Sequence, residues 1–311
     1  MPLMANRFVA ATMVLIVSMI SLPALAQNGQ GPPRIPFPAP DPGASPVDRS
    51  HEKHLDGWYK DSPIMPADPK AAPALRHDLS GIWEPAAGWL AGVQFMGAQE
   101  YPSDGKHFLP FTPAGEEAFK KHEAGFGTNE VPIALNNDPF DMCDPIGFPR
   151  IELFNLRAIQ IVQTPKQVMI LYQNDRTFRS IWTDGRGFPD PDIAEPRWYG
   201  YSIGRWEDNN TLVVETTGID ERTWIDNAGR PHSGDLRVEE RFHRVNRDLM
   251  ELTLTIIDPK IYAKPWNALE KFPMRLQSDA FDIREMLCSP SEQATFDKEV
   301  SRPAIADPQK K

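Results

Sequence analysis

The stretch Trp198–Trp206 contains the pattern Gly-x-Ser-x-Gly, which surrounds the nucleophile of many serine hydrolases, with Ser202 at its centre. A nucleophilic serine of this kind lies on a tight turn between a strand and a helix, where helical amides stabilise the oxyanion. Here the residues after Gly204 lead into the polar loop Glu207–Asn210, which favours a hairpin over a helix. We therefore interpret Ser202 as a strand residue, beside which two glycines allow a backbone or a ligand to approach closely.

The strongest signal for chemistry is a charged residue inside an apolar strand pattern. In the run Leu236–Val245, Glu240 lies between two apolar residues on the face that carries the apolar side chains. If that face points inward, burial favours the protonated carboxyl and makes Glu240 a candidate general acid or base. Two alternatives remain open. An inward arginine, Arg179 or Arg205, pairs with the carboxylate and only fixes the core, or a one-residue shift in register places Glu240 on the surface.

Other residues are candidates for assisting Glu240 or for binding a substrate. His232, in the loop before the Glu240 strand, is a candidate proton carrier at the rim of the fold, although loop histidines are also commonly held by backbone groups. Aromatic side chains form the walls of pockets for flat or apolar ligands, and they also fill cores. The candidate substrate-binding residues are Arg179, Tyr172, Trp182, Ser202, Tyr201 and Trp224.

Charge and motif spacing disfavour several classes of function. The formal net charge of −10 opposes binding to nucleic acid and to anionic membrane surfaces. The glycines near Gly125 fit neither the dinucleotide-binding nor the P-loop spacing, so we expect no nucleotide cofactor. Neither cysteine has metal-ligand spacing, and His51 and His54 lack the spacing of a metalloprotease. We expect no cofactor and no metal.

The N-terminus has the features of a secretory signal peptide, which we assign to residues 1–26. Arg7 precedes the apolar run Phe8–Ile20, and Ala24-Leu25-Ala26 offers the small residues that signal peptidase accepts. We expect cleavage after Ala26 and a location in the periplasm or outside the cell. The apolar run is shorter than the roughly 20 residues that span a bilayer, so we expect no stable membrane insertion.

Export makes the cysteine count informative. An oxidising compartment favours one bridge between the two cysteines, and we expect Cys143 to pair with Cys288. The alternative is a pair of free, buried thiols. A bridge over so long a loop contributes roughly 4–5 kcal/mol in the chain-entropy description.

The mature chain divides into an arm, a β-rich domain and a tail. Residues 27–77 carry a dense series of prolines, which favour extended conformations. Residues 78–288 carry short β-rich runs separated by turn residues, together with one or two short helices, one starting at Thr112-Pro113. Residues 289–311 read as a charged tail. The pattern predicts an all-β fold, an antiparallel meander closed as a calyx-like, lipocalin-like barrel.

The strands of this barrel are bounded by turn chemistry in the sequence. A first short strand follows the polar turn at Asp78. The later predicted strands are Arg157–Gln163, Gln167–Gln173, Thr177–Trp182, Tyr199–Trp206, Thr211–Thr217, Leu236–Val245 and Leu249–Ile257.

A succession of motifs resembles a large, uncharacterised family of exported proteins of Gram-negative soil bacteria. The motifs, in order, are IVQTP, DGR, GYSIGRWE, TLVVET, RTWID, PHS and ER. The resemblance runs from about Asp78 to Cys288, and it implies export and a grouping but no activity. Members of the family usually have Asp where Glu215 stands and His where Phe188 stands. The barrel region is also similar to lipocalin-type calyces in its pattern, and a fold alone does not set a function.

These features predict a periplasmic, metal-free enzyme that acts on a small hydrophobic or aromatic molecule in a barrel pocket by general acid–base catalysis. Isomerase, lyase and hydrolase chemistry all fit. Glu240 transfers the proton in this interpretation, His232 assists, and Arg179 orients an oxygen of the substrate. The first alternative is a non-catalytic periplasmic carrier of lipocalin type. The second is an envelope interaction protein that uses the proline-rich arm.

Overall fold

Nine strands in the described part of the chain form a closed barrel in sequence order, and the first strand pairs with the last to complete it. The all-β barrel predicted from the sequence is therefore confirmed. The strands are β1 Gly81–Pro85, β2 Ile159–Thr164, β3 Gln167–Tyr172, β4 Phe178–Trp182, β5 Tyr201–Trp206, β6 Thr211–Thr217, β7 Arg237–Arg244, β8 Leu249–Ile257 and β9 Trp266–Leu276.

The computed structural model describes residues 71–86, 98–154, 156–277, 281–283 and 285–306. All of them belong to one compact unit, Arg49–Lys311. The expected signal peptide and most of the proline-rich arm lie outside the described residues. Within these residues, no helix has the length and apolar character needed to cross a membrane.

Alternation of side chains explains why the strands close around one core. In β7 and β8 every second residue is buried, and the buried residues of the two strands face each other across the pair, as Val238 does Ile256. Such a period of two places one face of each strand inside the barrel. The interior is filled mostly by apolar side chains, among them Ile161, Ile170, Ile181, Val214, Val238 and Leu254.

The strand pair β4–β5 departs from the predicted antiparallel meander, because it is parallel. Its register joins Ile181 to Ser202 and Trp182 to Ile203. Parallel neighbours need a long connection that brings the chain back to the same end of the sheet. Residues 183–200 provide that connection, whereas short hairpin loops join β2 to β3 and β5 to β6. The expectation of antiparallel pairing throughout is wrong at this pair.

The helices are short, with at most seven residues each in the described part of the chain. The helix predicted at Thr112-Pro113 is present as α1, and the Thr112 side chain accepts a hydrogen bond from the Gly115 amide at 3.1 Å as its N-cap. The region predicted as a tail also contains helix, so the fold has more helices than the sequence indicated. The helices are α1 Pro113–Phe119, α2 Arg150–Leu153, α3 Pro290–Phe296 and α4 Arg302–Ala306, with 3-10 turns at Ile133–Leu135 and Phe140–Met142 and a π-helical turn at Asp297–Ser301.

A disulfide links Cys143 to Cys288, as predicted. The two Cα atoms are 5.5 Å apart, and the residues are 145 positions apart in the sequence. The bridge therefore ties the segment before α2 to the segment that leads into the C-terminal helices.

Candidate functional site

Glu240 points into the barrel interior and is fully buried. The guanidinium of Arg179, from β4, forms a two-pronged ion pair with its carboxylate. Arg179 Nη2 donates to Glu240 Oε2 at 2.6 Å, and Nη1 donates to Oε1 at 3.0 Å. Of the two arginines considered from the sequence, Arg179 is thus the partner, while Arg205 lies on the outward face and is exposed.

The same guanidinium joins four further polar side chains. Arg179 Nη1 also donates to Glu152 Oε1 at 3.1 Å and to the Tyr172 hydroxyl at 3.0 Å. Its Nη2 also donates to the hydroxyls of Ser202 and Thr216, both at 3.2 Å. We call this group the Arg179 cluster, and its members are Glu152, Tyr172, Arg179, Ser202, Thr216 and Glu240.

Ser202 is a structural member of this cluster. Its hydroxyl lies 2.8 Å from that of Thr216, across the β5–β6 pair, and both side chains are buried. After Ser202 the chain continues along β5 to Trp206, and the next element is another strand, β6. The geometry of a hydrolase nucleophile, which needs a strand-to-helix turn, is therefore not present at Ser202.

Glu152 is the second carboxyl group of the cluster, and its environment favours the neutral acid. Burial, together with the negative charge of Glu240, raises the pKa of Glu152 to about 8. Its Oε1 already accepts a bond from the Tyr172 hydroxyl at 2.7 Å, while its Oε2 is buried without a hydrogen-bond partner among the described protein groups. We assign the proton to Oε2. The cluster then holds one guanidinium, one carboxylate and one carboxylic acid, and its net charge is zero.

A cleft opens beside the cluster where β4 and β5 diverge. The parallel pairing begins only at Ser202, and Gly200 takes a φ of 65°, which turns the preceding chain away from β4. A Cβ atom at Gly200 would lie 2.7 Å from Thr216 Cγ2, so a larger residue does not fit this close approach. The resulting cavity has a volume of about 490 Å³. We call it the β4–β5 cleft, and its lining residues are Phe178, Arg179, Ser180, Trp182, Pro196, Arg197, Trp198, Tyr199, Gly200, Tyr201 and Ser202.

Four of the six candidate substrate-binding residues line this cleft. They are Arg179, Trp182, Tyr201 and Ser202. Trp182 and Tyr201 are partly exposed on the outer side of the strands, whereas Arg179 and Ser202 are each 2 % exposed. The cleft therefore has aromatic walls and a buried polar inner end.

Arginine side chains lie over the aromatic rings around the cleft. The Arg186 guanidinium carbon is 3.6 Å from the centre of the Trp182 ring, and that of Arg222 is 4.3 Å from the centre of the Trp198 ring. Both distances are typical of cation–π contacts. These arginines are each held by an aspartate two residues earlier in the chain, at positions 184 and 220.

Two of the predicted residues lie away from the cleft. His232 is buried, with Nε2 2.7 Å from the Thr223 hydroxyl and Nδ1 3.0 Å from the Ser233 carbonyl. Burial lowers the pKa of His232, so the ring is neutral near pH 7. Neither His232 nor Trp224 lines the cleft, and Trp224 stacks on His122 with ring centres 4.7 Å apart. A proton-carrying role for His232 stays a prediction.

Sequence reasoning missed Glu152, which completes the cluster from a helix between β1 and β2 in the chain. It lies in α2, a helix of four residues that are all buried. A helix of four residues is too short to show a hydrophobic periodicity in the sequence. The available signal was the presence of two charged residues, Arg150 and Glu152, inside the otherwise apolar run Ile146–Phe154.

The chain matches no family model, no curated protein and no solved structure at a significant level. Among the residues that the structure describes, no group of three or more His, Cys, Asp or Glu side chains is arranged to hold a metal ion. Fold and site define a class only: a closed β-barrel with a buried ionic cluster behind an aromatic cleft.

Proposed function

We propose that this protein binds a small hydrophobic or aromatic molecule in the β4–β5 cleft and acts as a carrier in the periplasm or outside the cell. The observation that carries the proposal is the convergence of two aromatic walls, Trp182 and Tyr201, with a buried polar inner end in one cavity of about 490 Å³. Ligand sites have volumes of roughly 300–1,000 Å³, apolar walls and a few placed polar groups.

The bonding of the Arg179 cluster supports binding without catalysis. Both carboxylate oxygens of Glu240 accept bonds from Arg179, and the Ser202 hydroxyl is engaged by Thr216 and Arg179. Side chains that hydrogen-bond to one another in this way are held in place, and breaking a buried ion pair with two hydrogen bonds strongly destabilises a protein. The cluster then serves as a fixed inner wall that holds β4, β5 and β7 in position around the cleft.

Binding of a fluorescent apolar probe tests the proposal. We expect N-phenyl-1-naphthylamine to bind the purified protein saturably at one site and to quench tryptophan emission. Trp182→Ala removes one wall of the cleft and is expected to weaken binding about 5-fold or more, because an aromatic contact contributes upwards of about 1 kcal/mol. Phe108→Ala is the control, since Phe108 is 65 % exposed and lies outside the cleft. Equal weakening by both variants, or no saturable binding by the wild type, contradicts the proposal.

General acid–base catalysis is the second candidate, and one observation favours it. The pKa of Glu152, raised to about 8 by burial and by Glu240, places a proton donor near neutrality behind the inner end of the cleft. In this candidate Glu152 and Glu240 exchange the proton and Arg179 orients an oxygen of the substrate. Isomerisation, elimination and hydrolysis remain the reaction types that fit.

Comparison of two isosteric variants tests the catalytic candidate. Turnover of aromatic substrates by the wild type is compared with turnover by Glu152→Gln and Glu240→Gln, after circular dichroism has established that each variant is folded. Catalysis through the pair requires activity to fall in both variants. Unchanged turnover in Glu152→Gln removes this mechanism, because the glutamine keeps the shape of the side chain and cannot donate or accept the proton.

A further inference from the structure

We propose that the ligand of the β4–β5 cleft is an aromatic carboxylate and that Arg197 binds its carboxylate group. This inference rests on the proposed function and specifies the class of ligand. The residues that line the cleft include two arginines, Arg179 and Arg197, and no aspartate or glutamate. The charge of Arg179 is offset inside the barrel by Glu240 at 2.6 Å. The charge of Arg197 is therefore the one that the cleft presents to a ligand.

Arg197 differs from the other arginines around the cleft in its ionic partners. Arg186 and Arg222 each pair with an aspartate two residues earlier, at 2.7 and 2.6 Å. The acidic residue two positions before Arg197 is Glu195, and both side chains are exposed. Within the described ranges, no carboxylate lies at ion-pair distance from the Arg197 guanidinium. Its charge is thus available for an external anion.

The backbone of Arg197 is fixed, so the guanidinium is presented from a rigid base. The Arg197 amide donates to the Gly218 carbonyl at 2.9 Å, and its carbonyl accepts from the amides of Gly200 and Asp220, both at 3.0 Å. The guanidinium carbon lies 5.4 Å from the centre of the Tyr201 ring. The fixed backbone sets the point from which this exposed side chain extends, and the Tyr201 ring keeps its guanidinium beside the cleft.

The arrangement matches a flat ring that carries a carboxylate. A guanidinium binds a carboxylate through two parallel hydrogen bonds in one plane, and the ligand ring can then lie against the aromatic walls formed by Trp182, Trp198 and Tyr201. A neutral aromatic ligand lacks the hydrogen bonds to the guanidinium, and an aliphatic acid lacks the contact with the aromatic walls. Since the chain has a net charge of −10, long-range attraction does not collect anions, and preference for a carboxylate must come from this short-range contact.

A pair of ligands that differ only in charge tests the inference. Calorimetric titration of the full-length mature protein with 2-naphthoate and with 2-naphthamide compares the anion with its neutral isostere. We expect the wild type to bind the carboxylate roughly 10- to 100-fold more tightly, which is the range for a charge-assisted pair of hydrogen bonds. We expect Arg197→Gln to bring the two affinities to within about 3-fold of each other while the affinity for the amide is kept.

A matched control separates the local contact from the overall charge. Arg247→Gln removes the same charge at an exposed arginine that pairs with Asp248 outside the cleft, and it is expected to keep the preference for the carboxylate. Equal affinity of the wild type for both ligands overturns the inference and leaves the proposed function standing. Loss of the preference in both variants also overturns it, because the effect is then one of net charge. Failure to bind these ligands and N-phenyl-1-naphthylamine contradicts the proposed function itself.

Discussion

Replacing Glu152 by glutamine is expected to change the pH dependence of stability while keeping the fold. The glutamine carbonyl oxygen can accept the bonds that Glu152 Oε1 accepts from Tyr172 and Arg179. Its amide can occupy the position of the protonated Oε2, and it carries no charge beside the Glu240 carboxylate, which raises the Glu152 pKa. The variant therefore mimics the neutral acid and removes only the ability to ionise.

The sign and size of the effect follow from linkage. The pKa of Glu152 is raised from 4.5, its value in an unfolded chain, to about 8 in the folded protein. Between these values the folded state keeps a proton that the unfolded state has lost, so the free energy of unfolding falls as pH rises. At about 1.4 kcal/mol per pH unit, the wild type loses on the order of 4 kcal/mol relative to the variant between pH 5 and pH 8. Above the folded pKa the difference becomes constant.

Urea denaturation of the two proteins at half-unit steps from pH 5 to pH 8.5 measures this difference directly. Titration of other groups cancels in the comparison, including that of His122 and His232, whose pKa values burial lowers. Glu270→Gln, at an exposed position, is the control and is expected to show a difference that does not vary with pH. A constant difference between wild type and Glu152→Gln over the whole range refutes the assignment of a neutral carboxyl at Glu152.

Three further outcomes are expected. Glu240→Gln leaves the buried Arg179 without its carboxylate and is expected to lower the free energy of unfolding by about 3–5 kcal/mol. The control is Glu239→Gln, on the outward face of the same strand, which is expected to change this free energy little. Urea denaturation of both variants measures the two effects. Reduction of the disulfide, which spans 145 residues, is expected to lower the free energy of unfolding by about 5 kcal/mol in the chain-entropy description. Urea denaturation with and without a reductant measures this as a lower urea concentration at the midpoint of unfolding. Thr112→Ala removes the N-cap of α1 and is expected to cost about 1 kcal/mol, which thermal unfolding reports as a drop of a few degrees against a Thr112→Ser control.

The barrel could be predicted from the sequence because apolar and polar residues alternate regularly along several of its strands. The bounds of β6 and β8 agree with the predicted runs, and those of β7 differ by one residue at each end. β9 was not recognised, since Pro273 interrupts the run and a bulge opposite Leu252 and Leu254 breaks its parity. A shift of one residue exchanges the faces of a strand, so no single alternating pattern describes β9.

Only part of the candidate site could be predicted from the sequence, and the reasons are physical. The inward position of Glu240 followed from the parity of one strand, which is local information. The choice between Arg179 and Arg205 as its partner depends on which side chains meet across the barrel interior, because β4 and β7 are not neighbours in the sheet. Glu152 comes from a four-residue helix between irregular segments, so its arrival at the cluster is decided by tertiary packing alone. The cleft likewise exists because two strands diverge, which no local pattern encodes.

The parallel pair also determines where the barrel is least resistant to opening. Backbone pairing between β4 and β5 is limited to Ile181 with Ser202 and Trp182 with Ile203, whereas β7 and β8 pair along the whole length of β7. Few hydrogen bonds need to break for these two strands to separate, and parallel pairing is slightly weaker per residue. Amide hydrogens along this seam should exchange with solvent before those of β7 and β8. Local opening of this seam is the route that we propose for entry of a ligand into the β4–β5 cleft, because β7 and β8 stay paired on the other side of the barrel.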